Sequence, residues 1–139
     1  LRFELIDQVL QRDNGRIVAV KNVTTAEEYL ADHFPGFAVL PGVMMLETMV
    51  QAARLLAAGE GDDPRTCGDG SPLLIQQVRN VRYGNMVRPG QTLKVDVSVR
   101  KRDGEVIEFD GVGTVIDQVA VQGRFRLAPA GSLEAAAAQ

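Results

Sequence analysis

Gly42-Val43-Met44-Met45-Leu46-Glu47-Thr48-Met49-Val50-Gln51-Ala52-Ala53-Arg54-Leu55-Leu56-Ala57-Ala58 is the stretch on which the fold turns. Its apolar residues cover nearly the whole circumference of a helix, and a helix apolar all round is a buried helix. Glu47, Gln51 and Arg54 interrupt it, and it falls short of the roughly 20 continuous apolar residues that span a bilayer. The chain has 139 residues, enough for one domain with a real core. In a chain that small, only a sheet wrapped around the helix could bury it. Glu47 is the anomaly: Met44, Met45, Leu46, Met49 and Val50 surround it in sequence. A charge in such company is expensive unless it is paired, neutralised or used.

Upstream lies the only histidine, His33, in the run Asp32-His33-Phe34-Pro35-Gly36, with Pro41-Gly42 leading into the helix. Histidine titrates near neutral pH and is the natural proton acceptor, so His33 and Glu47 supply both halves of an acid/base pair. The plainer alternatives are a histidine that is only a satisfied polar residue and a glutamate paired with Arg54, seven residues on. Gln51 lies one turn beyond Glu47 on the same face and could hydrogen-bond its carboxylate. At the helix start, the N–H groups around Gly42 and Val43 lack intrahelical acceptors and can meet charge developing on an oxygen.

Outward from the helix the pattern is β. Phe3 to Leu10 reads as a strand ended by the Asp13-Asn14-Gly15 turn, and Arg16 to Val23 alternates as its partner. Thr24, Thr25, Glu27 and Glu28 suggest a short capped helical turn. Leu73 to Tyr83, Thr92 to Arg102, Val106 to Ile116 and Val119 to Leu127 are four more strands. Gly59 to Gly70 is a polar loop, and residues 129–139 read as a flexible C-terminal tail behind a single domain over 1–128. The class is α+β: a curved, antiparallel sheet around one long buried helix.

The formal net charge of -3 is unevenly spread, with seven basic residues and one acid, Asp96, between Gln76 and Arg102. Solvated strand edges would explain this, and so would a surface for an acidic partner or a phosphate. Aromatic residues do not interleave with the basic ones, which argues against nucleic acid. One histidine and one cysteine, far apart, make no metal site, and no glycine-rich phosphate loop is present. No charged-then-apolar leader occurs, and Cys67 alone cannot form an internal disulfide, so the expected compartment is the cytoplasm.

His33-Phe34-Pro35-Gly36, Pro41-Gly42-Val43, Glu47 and Gln51 together resemble the signature of the FabZ-type β-hydroxyacyl-acyl carrier protein dehydratases. The agreement in residue type and separation runs over nineteen positions from His33 to Gln51. It extends to Phe3-Glu4-Leu5-Ile6-Asp7 and Val87-Arg88-Pro89-Gly90-Gln91, and so covers most of the chain. The chain departs from the pattern at Gln8, Asp32, Ala38 and Gly84-Asn85-Met86, none of them a proposed catalytic group.

The resemblance implies a hotdog fold, in which a sheet wraps one long helix. It also implies dehydration of a 3-hydroxyacyl thioester carried on the phosphopantetheine arm of acyl carrier protein, with no other cofactor and no metal. His33 would take the C2 proton, and Glu47 of a partner chain would orient or protonate the departing hydroxyl. Glutamate rather than aspartate favours plain dehydration over the coupled isomerisation of the FabA type. Gly42, Val43, Gln51 and Phe37 are the substrate-binding candidates; Phe37, Met44, Met45 and Met49 are core residues first and tunnel walls second. Arg79, Arg82, Arg88, Lys101 and Arg102 are the candidates for docking the acidic carrier. The site implies a homodimer, with a trimer of dimers common in the family. Kindred readings on the same fold are an acyl-CoA hydratase, a thioesterase and a non-catalytic acyl-binding protein.

Overall fold

The computed structural model describes residues 5–23, 40, 42–58 and 73–130. Within them the chain forms β1 (Gln8–Arg12), β2 (Arg16–Asn22), α1 (Gly42–Ala58), β3 (Leu73–Tyr83), β4 (Thr92–Asp103), β5 (Val106–Val115) and β6 (Gln118–Pro129). The strands make one antiparallel sheet in the order β1-β2-β4-β5-β6-β3. β1 lies further along than the expected Phe3–Leu10. The turn needs only Asp13 to Gly15, closed by Asp13 N–H donating to the Arg16 carbonyl at 2.8 Å, so pairing continues to Arg12.

On β2, β4, β5 and β6 one set of apolar side chains faces α1. Ile17, Ala19, Leu93, Val95, Val97, Phe109, Phe125 and Leu127 are fully or almost fully buried there. Phe109 and Phe125 stand opposite each other in the register, their rings stacked with centroids 5.5 Å apart. From the helix, Met49, Val50, Ala52 and Ala53 are buried completely. Gly111 lets this happen: a Cβ there would lie 2.8 Å from Met49 Sδ, inside contact distance. Thr48, also fully buried, satisfies its hydroxyl by donating to the Met44 carbonyl at 2.7 Å.

The wrapped hotdog sheet expected above is not what these residues form. β1 and β3 are the two edges of the sheet and do not pair with each other, so it lies open and is neither closed nor strongly curled. The helix correspondingly is not buried all round. Val43 is 64% exposed, and Met44, Leu46 and Leu55 are only partly covered. An open sheet covers one face of a helix, and the apolar residues on the other face are left to be covered by something else.

Two arginines tie α1 to the opposite edges of the sheet. Arg12 of β1 donates from Nη2 to the Leu55 carbonyl, and Arg54 of the helix donates from Nε to the Leu73 carbonyl of β3 at 3.0 Å. The expected turn at Thr24 to Glu28, the polar loop at Gly59 to Gly70 and residues 131–139 of the expected tail lie outside the described residues. Pro129 is the last residue of β6 and pairs with Leu73.

Candidate active site

Glu47 sits in the second turn of α1, and its side chain is 34% exposed. Gln51 Nε2 donates to Glu47 Oε1 at 3.4 Å, as the one-turn spacing led us to expect. Arg54 Nη1 reaches the same oxygen at 3.5 Å. The plainer reading of Glu47 as the partner of Arg54 is therefore geometrically real, and it coexists with the Gln51 contact. Gln51 is itself oriented: its Oε1 accepts the Leu5 backbone N–H at 2.8 Å, which points the amide nitrogen toward Glu47.

Gly42 opens the helix one turn before Glu47. A Cβ on Gly42 would lie 2.9 Å from Cε1 of Tyr83, so the aromatic ring stands directly over the helix start. Val43 beside it is open to solvent. The N–H groups of this first turn have no acceptor within the helix. Leu40, just before the helix, is fixed by its N–H donating to the Val87 carbonyl at 2.7 Å. The sequence reading missed Tyr83 as a neighbour of the site; its place one residue before Gly84-Asn85-Met86 was the available signal. His33 and Phe37 lie outside the described residues.

The five docking candidates are not brought together. Arg88 borders a groove of about 430 Å³ with Gly84, Met86, Val115 and Ile116 at one end of β4. Lys101 and Arg102 lie toward the other end of this 12-residue strand, roughly 30 Å from its start at the usual rise. Arg82 is exposed on β3, and Arg79 is engaged by Glu108 at 2.8 Å.

Glu108 belongs to an ion network that sequence reading did not anticipate. Gly111 faces the helix, so by alternation Glu108 and Asp110 face the opposite side of the sheet. There Glu108 accepts from Arg79, Arg126 at 3.1 Å and Arg100 at 3.2 Å, while Arg124 meets Asp110 at 2.9 Å. Burial alone pushes the Glu108 carboxyl up, but hydrogen bonds from, and the charges of, Arg126 and Arg79 outweigh it and hold the group below its ordinary value. The available signal was the cross-strand register, Glu108 opposite Arg126 and Asp110 opposite Arg124. A concavity of about 480 Å³ among Arg16, Asp96, Asp110 and Arg124 is also on this face and does not include Glu47.

A FabA-like domain model matches residues 1–124. The 3-hydroxyacyl-[acyl-carrier-protein] dehydratase FabZ of Solibacter usitatus is 36% identical over 113 residues, covering 81% of this chain and 67% of that protein. The protein of the same name from Paracidovorax citrulli is 38% identical over 122 residues, covering 86% and 82%. A dehydratase of acyl-chain metabolism is thus the class that the matches define. The chain belongs to the FabA-like family, the family of the hotdog-fold dehydratases, and the resemblance read from His33 to Gln51 is borne out.

Solved structures share the fold at low identity. The dehydratase heterocomplex ApeI:P from Xenorhabdus doucetiae superimposes with a TM-score of 0.71 at 19% identity, covering 91% of this chain and 82% of that one. Zebra fish thioesterase superfamily member 2 gives 0.64 at 18%, covering 86% and 78%. One architecture thus carries proteins of both names, and the fold does not choose the reaction. Among the described residues no helix is long and apolar enough to cross a membrane, and no cluster of His, Cys, Asp and Glu could hold a metal ion.

Proposed function

We propose that the protein removes water from (3R)-3-hydroxyacyl groups carried as thioesters on acyl carrier protein, giving the trans-2-enoyl thioester. It does so as a single domain over residues 1–128, acting in the cytoplasm. The observation that carries this reading is Glu47. It stands one turn inside an apolar helix, held through Oε1 by Gln51 and Arg54, in a chain with FabZ relatives at 36% and 38% identity.

In the proposed mechanism His33 takes the C2 proton, and electron density moves onto the thioester oxygen. Backbone N–H groups at Gly42 and Val43 receive that charge, and the absence of a side chain on Gly42 lets the thioester come close. Glu47 delivers a proton to the C3 hydroxyl, which leaves as water. The base and the acid must sit on opposite ends of one C2–C3 bond, which is why two groups from different chain segments are required. Phe37 is proposed to line the acyl path.

The pair is proposed to assemble across a homodimer, which a trimer of dimers would extend. β3 supports a partner: among the described residues it is an edge strand, eleven residues long, with Leu74, Ile75 and Tyr83 exposed. Edges of that length are rarely left open. The uncovered apolar face of α1 is a second support. Arg82, Arg88, Lys101 and Arg102 remain the proposed carrier contacts, in two separate groups, and Arg79 would first have to leave Glu108.

Assay of 3-hydroxybutyryl- and 3-hydroxydecanoyl-carrier protein by absorbance and mass spectrometry tests this directly. Enoyl product from wild type, and none from Glu47→Gln or His33→Ala, is the expected result. Product from all three would remove the site while keeping the activity. A folded wild type that makes no product, but releases free thiol from acyl thioesters, would replace the dehydratase with a thioesterase.

A further inference from the structure

Arg54 has no step in the chemistry above, yet it ties Glu47 to the sheet. Its Nε donates to the carbonyl of Leu73, the first residue of β3, at 3.0 Å. Opposite Leu73 in the register stands Pro129, which has no N–H to offer, so the arginine serves a carbonyl its neighbour cannot. The guanidinium is planar, and fixing Nε fixes where Nη1 points. Nη1 then lies 3.5 Å from Glu47 Oε1, with the arginine side chain 21% exposed.

We infer that Arg54 is a positioning residue for Glu47, setting which carboxylate oxygen the substrate meets. This rests on the reading of Glu47 as the proton donor. Arg54 and Gln51 approach from further along the helix and converge on Oε1, at 3.5 and 3.4 Å. Among the described residues neither of these bonds falls on Oε2, and in this reading Oε2 carries the proton that Glu47 delivers to the substrate hydroxyl. The Arg54 plane also links the orientation of Glu47 to the edge strand β3. A lysine at 54 keeps the charge but not the fork: one ammonium cannot hold Leu73 and aim a second, fixed donor at Glu47.

The test is steady-state dehydration by wild type, Arg54→Ala, Arg54→Lys and Glu47→Gln, with and without millimolar guanidinium, alongside Tm. Misplacing a reacting group by about 1 Å costs on the order of 100-fold in rate. Arg54→Ala is therefore expected to lose about 10- to 100-fold in kcat with KM little changed, and guanidinium should recover part of it. Arg54→Lys should fall between Arg54→Ala and wild type, and it keeps a cation on the helix should the alanine variant not fold. Guanidinium should do nothing for Glu47→Gln. Wild-type kcat in Arg54→Ala, beside an inactive Glu47→Gln, would overturn the role of Arg54 alone. So would a loss that guanidinium leaves untouched and that merely follows Tm. Full activity in Glu47→Gln would overturn the proton donor, and Arg54 with it.

Discussion

Gln51 faces Glu47 with its amide nitrogen, 3.4 Å from Oε1, because the Leu5 N–H occupies its amide oxygen at 2.8 Å. A segment at the start of the chain thus decides how a helical side chain presents itself 46 residues later.

Replacing Gln51 tests that arrangement. Gln51→Leu removes a donor to Glu47 and an acceptor for Leu5, and should cost about 1–3 kcal/mol in stability. Its kcat should fall while KM holds. Gln51→Glu should be worse in activity, because it sets two carboxylates one helical turn apart. Parallel denaturation and kinetic measurements separate the effects; equal kcat in both variants would show that charge at this position does not matter.

Gly84 explains one departure of this chain from the dehydratase pattern. A Cβ there would press into the carbonyl oxygen of Val119, and that backbone is held by Gly84 N–H donating to Ala120 and Asn85 N–H donating to Val119, both at 2.9 Å. Backbone cannot step aside as a flexible side chain can. Gly84→Ala should therefore destabilise by about 1–3 kcal/mol. Gly15 has nothing within 4 Å of its own Cβ position, so Gly15→Ala should stay within about 0.5 kcal/mol of wild type. Two urea curves decide it.

These glycines also mark what a sequence reveals. α1 from Gly42 to Ala58 and β3 from Leu73 to Tyr83 fall where the pattern put them, because glycine and proline punctuate both and periodicity fills them. The pattern could not say which elements meet. That β1 and β3 are the two edges among the described residues is a matter of pairing, and it left the sheet open where a wrapped one was expected. Counting apolar residues on α1 likewise could not distinguish those facing the protein's own sheet, such as Met49, from Val43 on the outside. Glu47 was legible because a carboxylate among methionines is anomalous, and Gln51 because four residues make one turn. Tyr83 over Gly42, and Arg54 on Leu73, depend on long-range packing that no local spacing encodes.

Glu108 makes stability sensitive to acid. Its carboxyl is held below the ordinary value of 4.5, against the upward push of burial, by Arg126 and Arg79. A carboxylate whose folded value is depressed adds stability that is present above the unfolded value and lost as pH falls through the folded one. Tm of the wild type should therefore be flat near neutrality and fall once pH drops below about 4.5, other groups held equal. Glu108→Gln should melt lower at pH 7, with its arginines left facing one another, and should lose less on acidification. Parallel Tm profiles from pH 7 to pH 3 would show that this network does not contribute.

Gly42 and Tyr83 connect the helix start to the sheet in a way that activity should reveal. An added methyl at Gly42 would lie 2.9 Å from Cε1 and 3.1 Å from Cζ of the ring. The ring is 52% exposed, so it can swing outward rather than strain the core. Gly42→Ala should consequently cost little in Tm, and alanine is in any case the better helix former. Activity is another matter, since the displaced ring and the new methyl crowd the place where the thioester must approach the Gly42 and Val43 N–H groups. If the ring is the cause, the two positions are coupled and their effects will not add. Gly42→Ala should lower kcat/KM substantially in wild type and much less in a Tyr83→Ala background. An equal loss in both backgrounds would place the obstruction in the methyl itself, and Tyr83 would then be a bystander at the helix start.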